Sequence, residues 1–403
     1  MVVTRPLEDA AGFGRVRTLC SIREALGTGF ETTIFRLRNL LETHRIGDFA
    51  HAFWTGVTGL IRLRPRALQC LFYAPRSELD RLANDIARGG FDAIYLDSVR
   101  CQSLLQALRG RGLSCRIVVD FDDLMSRRMQ LLVEGRQPLS LGFVGELFPR
   151  WLRRATEGLF SALLARYEAL ALKQAEAEMA SMAQAIVLVS STESALLQQR
   201  LPRAAAQVHA IPPPSHAERT SIPVAPPFRF VFIGSDKLLQ NRLSIEFLVE
   251  LWRRLEPRSV LHIYGRQERR LPDARNVAWH GFVDEIREVY MGGSILLLPV
   301  LLAGGIKTKA IEAWAHGRPV LGNAAAFEGL DVEGYPLVLP ETDWAPYVLT
   351  PERYQDAWSV AARIGNAFVR TELTQGRYTS SWVSVMTPAG AIAPLRESNG
   401  VSL

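Results

Sequence analysis

The sequence is poor in lysine and cysteine, and it has no apolar run long enough to cross a bilayer. Its four cysteines are scattered over 403 residues, without a Cys-x-x-Cys pair or a histidine spacing typical of zinc sites. We therefore expect reduced cysteines in a cytoplasmic protein. Neither a transmembrane helix nor a signal peptide is predicted, so we expect any membrane association to be peripheral, on the inner face of the plasma membrane.

Lysine occurs at only four positions among 47 basic residues, and three of these positions follow glycines. Lys237 ends the turn 232–237, and Lys307 and Lys309 lie in the segment 303–322. A compact ammonium group can approach a diphosphate without a planar fork, which is a physical reason to keep lysine at such turns. Ordinary helix-surface charge is the alternative explanation.

The net charge of +6 favours anionic partners, namely sugar nucleotides, anionic lipid surfaces or nucleic acid. The sequence has no RNP, zinc-finger or helix-turn-helix signature with an interleaved basic and aromatic face. We therefore expect no nucleic-acid binding.

Strand-like and helix-like segments alternate in both halves of the chain, which is the pattern of two parallel-sheet α/β units. A proline-rich stretch at 211–227 separates the halves and indicates a linker. The first half opens with a short apolar segment at 1–4. The predicted strands are 91–97, 115–120 and 185–190 in the first half, and 228–233, 260–264, 277–279, 295–300 and 319–322 in the second.

The segment 303–322 combines a glycine turn with the start of a helix. It follows the apolar strand 295–300, and Gly304 and Gly305 precede a helix predicted over 306–316. A strand that leads through glycines into a helix directs unpaired N–H groups and the positive end of the helix dipole at one point. This arrangement is suited to a phosphate.

Four sequence blocks carry a resemblance to a known family. In order along the chain they are 232–235, 261–265, 280–284 and 305–320. Together they resemble the C-terminal domain of GT-B glycosyltransferases of the family 4, group 1 type, which use nucleotide-activated sugars. The resemblance implies an α/β GT-B fold, with two Rossmann-like parallel-sheet domains facing a central cleft. The implied parts are an acceptor-side domain at 1–215, a nucleotide-sugar-binding domain at 216–370 and a tail helix at 371–403 that crosses back to the first domain.

Glu312 has a specific role in this resemblance. It is predicted about two turns into the helix, on the same face as Thr308 and Gly305. It resembles the second glutamate of the family's Glu-x7-Glu motif, which binds the ribose hydroxyls of the nucleotide. The first glutamate should lie eight residues earlier, where this sequence has Gly304. The group that reads the donor sugar must therefore come from elsewhere.

The resemblance also assigns the remaining donor-binding residues. The diphosphate would be held by two lysines and the backbone of the glycine turn, and a third cation would come from the first glycine turn. The base would be read by backbone atoms after two of the strands. These residues are Gly304, Gly305, Lys307, Thr308 and Lys309 for the diphosphate, Lys237 or in its place Arg242 for the third cation, and Tyr264, Gly281, Phe282 and Val283 for the base. In the first half, Gly12, Gly14 and Arg15 resemble the small-residue loop that approaches the donor phosphates, and an ordinary turn is the alternative.

Three aspartates, at positions 120, 122 and 123, lie at the end of the predicted strand 115–120 and directly after it, at the edge where ligands of α/β proteins bind. Asp122, or else Asp123, could act on the acceptor hydroxyl as a base or position the donor sugar, and we expect Asp122 first. Binding of a metal ion by the three carboxylates is a second interpretation. A helix cap with Ser126 and a salt bridge to a neighbouring arginine is a third.

The segment 143–167 combines aromatic residues with arginines, on a predicted helix. Such a helix can lie on an anionic membrane and bring the site close to a lipid-linked acceptor. The alternative is an amphipathic helix that faces the core or the other domain.

The resemblance thus implies a hexosyl-type glycosyltransferase that needs no metal and no other cofactor. Its partners would be a nucleoside diphosphate sugar and a glycan or polyprenyl-linked acceptor, in surface-polysaccharide biosynthesis. Two alternatives stay open: a non-catalytic sugar-nucleotide-binding subunit, suggested by Gly304, and another GT-B-like enzyme such as a sugar-nucleotide epimerase.

Overall fold

The computed structural model describes residues 1–7, 14–135, 159–215, 224–268, 274–302 and 304–388. The chain divides into two compact units, Met1–Pro213 with Gly376–Leu403, and Pro214–Gln375. None of the helices in the described ranges combines the length and the apolar character required to cross a bilayer.

The first unit contains a parallel sheet with the strand order β2-β1-β3-β4-β5-β6. Its central strands are almost entirely buried because both faces of the sheet are covered by helices. The strands are β1 (Val2–Val3), β2 (Phe35–Arg36), β3 (Ala93–Asp97), β4 (Arg116–Asp122), β5 (Ala185–Leu188) and β6 (Gln207–Ala210). The helices are α1 (Gly14–Gly27), α2 (Leu40–Thr43), α3 (Ile46–Ile61), α4 (Leu68–Phe72), α5 (Arg76–Gly89), α6 (Gln102–Gly110), α7 (Met125–Glu134), α8 (Leu159–Met182) and α9 (Ser191–Arg200).

The structure corrects one strand boundary that matters for the site. Strand β4 continues to Asp122, two residues beyond the predicted end, because Phe121 is buried and Asp122 still pairs with Leu188 of β5. The short strands β2 and β6 were not predicted. Most of their residues are at least partly exposed, so they lack the apolar run that marks a buried strand.

The second unit contains a parallel sheet with the order β11-β10-β7-β8-β9. The strands are β7 (Arg229–Ile233), β8 (Leu261–Tyr264), β9 (Val277–Gly281), β10 (Ser294–Leu298) and β11 (Val320–Gly322), and the helices are α10 (Leu239–Leu255), α11 (Thr308–Ala315), α12 (Ala345–Leu349) and α13 (Gln355–Glu372). Helix α11 begins two residues later than predicted because Lys307 is still extended. All five predicted strands of this half are present.

The closing helix α14 (Gln375–Met386) packs on the core of the first unit. The Trp382 ring lies 5.7 Å from the ring of Tyr95, and Tyr378, Val385 and Met386 are buried in the same cluster. Helix α14 therefore contributes to the same hydrophobic core as residues of β1, β3 and β4.

Candidate active site

In the second unit, three turns gather at one edge of the sheet. Strands β10, β7 and β8 are parallel neighbours, so the turns that follow them emerge side by side. These turns begin near Gly304, Gly234 and Gly265. The carboxyl edge of such a sheet is where α/β proteins bind ligands.

The turn after β10 has the backbone geometry that its glycines predict. Gly304 has φ 120° and Gly305 has φ 64°, values that side-chain-bearing residues rarely adopt. Helix α11 then begins at Thr308, and the side chain of Lys307 does not cap it. An anion placed at this helix start would meet N–H groups and the positive end of the dipole.

Lys309 is the buried cation of this edge. Its Nζ lies 2.6 Å from Asn241 Oδ1 and 4.6 Å from the centre of the Phe232 ring. Gly234 makes room for it, because a Cβ at that position would come within 2.9 Å of Nζ. Burial, reinforced by Lys307 and opposed by Glu312, lowers the pKa of Lys309 to about 7. Lys309 and the first glycine turn, which are far apart in sequence, are thus in contact.

Lys307 and Glu312 lie on either side of this cation in the sequence. The Lys307 ammonium contacts the carbonyl oxygens of Gly304 and Gly305, so it turns back onto its own loop. Glu312 lies one turn into α11 rather than two, because the helix starts late. It is half-buried, and its charge acts on both Lys309 and Tyr290.

Lys237 and Arg242 are placed differently from Lys309. Lys237 is more than half exposed and forms an ion pair of 2.9 Å with Glu268. Arg242 lies 3.9 Å from Glu246 on its own helix, α10. Asn241, which is buried on α10, was not predicted from the sequence. Its amide nitrogen donates to the Ser235 carbonyl at 3.0 Å, and its amide oxygen accepts from Lys309. Asn241 thus connects the first glycine turn to Lys309.

Three of the four residues predicted to read the base, Tyr264, Phe282 and Val283, line a cavity of about 440 Å³. Tyr264 stacks on His280 with 4.4 Å between ring centres, and Arg229 donates to Tyr264 Oη at 2.8 Å. Phe282 and Val283 form another part of the wall, directly after Gly281 with φ 71°. A flat aromatic wall with a few polar groups is suited to a planar ligand.

His280 and its neighbour His262 were not assigned a site role from sequence. His262 Nδ1 lies 2.8 Å from His280 Nε2. Burial, followed by the charge of Arg229, lowers the pKa of both rings, and that of His262 falls to about 4. Both are therefore neutral at pH 7. His262 and Tyr264 are two residues apart in β8, so the sequence alone could have placed these two side chains on the same face of the sheet.

In the first unit, Arg15 is the centre of a carboxylate cluster. Its guanidinium lies 2.8 Å from Asp97 Oδ1, 2.8 Å from Asp120 Oδ2 and 3.0 Å from Asp122 Oδ1. Tyr95 Oη donates to Asp120 at 2.7 Å. The side chain of Arg15 is only 10% exposed, and these carboxylates hold it in the structure. Its contact with the donor phosphates stays a prediction.

Asp122 and Asp123 differ sharply in their surroundings. Asp122 has φ 66° at a register irregularity between β4 and β5, a strained conformation for a residue with a side chain. Its side chain is 39% exposed, whereas Asp123 is buried and forms an ion pair with Arg128. Desolvation, together with the charges of Asp123 and Asp120, raises the pKa of Asp122 to about 6 despite Arg15. Asp122 is therefore the accessible carboxylate of the pair.

The alternatives for this segment are only partly realised. The salt bridge between Asp123 and Arg128 is present, but Ser126 Oγ donates to Glu176 at 2.6 Å and does not take part in an aspartate cap. Within the described ranges, no group of three or more His, Cys, Asp or Glu side chains is arranged to hold a metal ion.

Two predicted features fall largely outside the described residues. The first is the glycine loop of the first half: Gly12 lies outside the described residues, and Gly14 is described only as the first residue of α1. The predicted membrane helix at 143–167 is described only from 159 onward, where Tyr167 Oη donates to the Arg66 carbonyl at 2.8 Å.

Comparisons with known proteins agree with this architecture. Residues 227–347 match the family model described as Glycosyl transferases group 1. The fold is similar to sucrose-phosphate synthase from Thermosynechococcus elongatus, with a TM-score of 0.57 at 14% identity over 94% of this chain and 96% of that chain. It is also similar to OtsA, with a TM-score of 0.54 at 10% identity over 96% and 98%, and to Anabaena HepE in complex with UDP-glucose, with a TM-score of 0.53 at 12% identity over 92% and 88%. A comparison with curated protein sequences finds no significant match.

The resemblance predicted from the four sequence blocks is confirmed. The chain has the GT-B fold, and its second unit carries the glycosyl transferases group 1 match.

The pKa of Lys309 leads to a prediction about diphosphate binding. A diphosphate favours the charged ammonium, so binding at pH 8 should raise the pKa of Lys309 well above 8 and take up close to one proton. Above pH 7 the affinity should fall as the free protein loses that proton. Calorimetry of UDP or GDP in buffers of different ionisation enthalpy measures the uptake.

A Lys309→Met variant is the control for this prediction. It should bind more weakly and take up no proton at pH 8. Equal proton uptake by the variant and the wild type would show that another group is responsible.

Proposed function

We propose that the protein transfers a hexosyl group from a nucleoside diphosphate sugar to a glycan or polyprenyl-linked acceptor, in surface-polysaccharide biosynthesis at the inner face of the plasma membrane. One observation carries the donor assignment: Lys309, Asn241 and Gly234 meet at the carboxyl edge of the second sheet. This meeting point lies inside the segment that matches the glycosyl transferases group 1 family.

The chemistry of the leaving group supports the donor class. A nucleoside diphosphate leaves with negative charge, which fixed cations and helix N-termini stabilise without reorganising. Lys307, Lys309 and the start of α11 provide such a set at one turn, so we propose a metal-independent reaction. In this proposal Glu312 accepts hydrogen bonds from the ribose hydroxyls. HepE, which has a similar fold, has been observed with UDP-glucose, so UDP-sugars are the first donors to test.

On the first unit, Asp122 is the residue we propose for the chemistry of transfer. It is the exposed member of its carboxylate cluster, and its pKa of about 6 lets it exchange a proton near neutral pH. Arg15 holds the carboxylate in place from one side. We propose that Asp122 faces the acceptor hydroxyl or positions the donor sugar, and that Arg15 is a positioning residue.

A non-catalytic sugar-nucleotide-binding protein is the second candidate. It is favoured by Gly304, whose φ of 120° is not suited to the glutamate of the common motif. The loop itself would have to change conformation to accept that glutamate. Such a protein would bind the donor without turning it over.

A panel of UDP-, GDP- and dTDP-sugars tests the proposal. We expect one nucleotide class to raise the melting temperature of the protein and one sugar to be hydrolysed slowly, with and without EDTA. Stabilisation without hydrolysis or transfer would support the non-catalytic candidate. No stabilisation by any sugar nucleotide would overturn the proposed donor class.

Glu312→Ala tests the ribose contact directly. We expect nucleoside diphosphate binding to weaken by about 1–3 kcal/mol in calorimetry, the cost of losing hydrogen bonds to a charged group. Glu250→Ala is the matched control, because Glu250 is exposed on α10 and pairs only with the nearby Arg253 among the described residues. An unchanged affinity in the Glu312 variant would remove the assigned ribose role.

A further inference from the structure

Helix α3 packs on the first unit through small side chains and exposes its large apolar ones. Ala52 and Gly59 are buried, and a Cβ on Gly56 would come within 3.2 Å of Leu71. On the outer side, Phe53 is 66% exposed and Trp54 is 62% exposed. Further exposed apolar residues of the helix are Ile46, Phe49, Leu60 and Ile61. A helix that only serves a water-soluble core has the opposite orientation, with the large apolar residues inside.

The two ends of α3 depart from the residues that would best stabilise a helix. The N-cap is Arg45, which makes no side-chain cap hydrogen bond, at a position that favours serine, threonine, aspartate or asparagine. At the other end, Arg64 N donates to the Gly59 carbonyl at 2.8 Å, and Leu63 takes the left-handed position with φ 53°. Glycine is usual there, yet this leucine is 89% exposed. Helix stability therefore does not explain these choices.

The carboxylate and the hydroxyl groups of α3 have hydrogen-bond partners within the protein. Its only acidic residue, Asp48, is buried and accepts from Ser77 N at 2.9 Å and from Ser77 Oγ at 2.6 Å. The hydroxyls of Thr55 and Thr58 each donate to a carbonyl of the helix itself at 2.8 Å. The outer face can therefore be desolvated without leaving a hydroxyl or a carboxylate of the helix without a hydrogen-bond partner.

Positive charge frames the apolar face. Arg45, Arg62 and Arg64 are exposed, and none of them forms an ion pair with another residue in the described part of the chain. An apolar face with a tryptophan and arginines at both ends is complementary to the interface of an anionic bilayer. A protein partner would instead have to supply a large apolar surface together with acidic groups at both ends.

We infer that α3 and its flanking arginines (residues 45–64) dock on an anionic lipid surface. The helix lies in the plane of the interface, with Phe53 and Trp54 among the acyl chains and the arginines at the head groups. These residues are separate in sequence from the segment 143–167. It does not depend on the proposed catalysis, because lipid binding can be measured without a sugar nucleotide.

Cosedimentation with vesicles tests the inference. The full chain should bind vesicles of phosphatidylcholine and phosphatidylglycerol more tightly than vesicles of phosphatidylcholine alone, and salt should weaken that binding. Phe53→Ser with Trp54→Ser should reduce partitioning at least about tenfold, since two large apolar groups no longer leave water. The matched control is Leu170→Ser with Leu196→Ser, which removes two exposed leucines of the same unit and should bind as the wild type does.

Several outcomes would overturn the inference. Equal binding by the Phe53/Trp54 variant and the wild type would place lipid binding elsewhere, as on 143–167. A wild type that is dimeric without lipid, with a monomeric variant in sedimentation velocity, would show that a second copy covers the face. An unchanged melting temperature in the variant excludes loss of fold as the cause, and Arg62→Gln with Arg64→Gln gives a second variant that should lose only the preference for anionic lipid.

Discussion

Replacing Arg15 with methionine is expected to lower the free energy of unfolding of the first unit by about 3–5 kcal/mol, because it leaves buried carboxylates without their counter-charge. Asp97 and Asp120 are each about 1% exposed, and Arg15 bridges them. Native-state hydrogen exchange measures the loss locally. Amides of β3 and β4 should exchange faster, whereas those of β7 and β8 should not change.

The control and the pH dependence identify the cause. Arg253→Met removes an exposed pair with Glu250, which solvent screens, and should leave the free energy of unfolding nearly unchanged. Burial alone would raise the pKa of Asp97, but Arg15 and Thr4 outweigh it and hold that pKa below its usual value. In the wild type, the stability that the ionised Asp97 contributes is therefore fully present above the pKa that Asp97 has in the unfolded chain. It is lost as the pH falls through the lower pKa of the folded protein.

In the Arg15→Met variant, protonation of Asp97 has the opposite effect on stability. The unpaired Asp97 binds a proton more readily in the folded than in the unfolded state, so acid relieves the defect. The difference in stability between the two proteins should shrink from pH 7 to pH 5. If the difference in the free energy of unfolding between the two proteins does not depend on pH, lost packing and not unpaired charge is responsible.

Asp122→Asn is expected to lower turnover by about 10²–10⁴-fold while nucleoside diphosphate affinity stays within about twofold, the effect of removing a group that transfers a proton. The asparagine keeps the size of the side chain and is tolerated at φ 66°. In the wild type, kcat/KM should rise with pH through about 6 as the Asp122 carboxyl ionises. Hydrolysis or transfer of the sugar identified by the panel gives the rates.

Asp123→Asn serves as the comparison. Asp123 is buried and paired with Arg128, so we expect its loss to affect stability first and the acid limb of the pH profile little. If Asp122→Asn retains wild-type turnover and the same acid limb, the catalytic assignment is wrong. If both variants lose turnover equally and also lose stability, the segment acts as a structural unit.

Much of the donor side could be predicted from the sequence. The apolar run of β10, the glycines at 304 and 305 and the helix up to Gly317 are local features, since each depends on neighbours within one or two turns. The contact between Lys309 and Asn241 is not local. It joins residues 68 positions apart, and it exists because β10 and β7 are neighbours in the sheet.

The first unit shows the same division more strongly. That an aspartate-rich segment ends β4 is visible in the sequence, and so is its place at the carboxyl edge. The partners of those aspartates are not, because Arg15 comes from a helix about 100 residues earlier and was expected to meet phosphates. Asp122 was expected before Asp123, and the difference in burial that separates the two appears only in the structure.

Sequence alone thus determined the alternation of strands and helices, the glycine turns and the family resemblance, because backbone preference and hydrophobic periodicity act over a few residues. Tertiary structure decided which side of each element meets the core. That choice put Arg15 among carboxylates, lowered the pKa of Lys309 and left the large apolar face of α3 in water. The physical reason is that burial and charge pairing depend on residues brought together by the sheet order, which the local pattern does not encode.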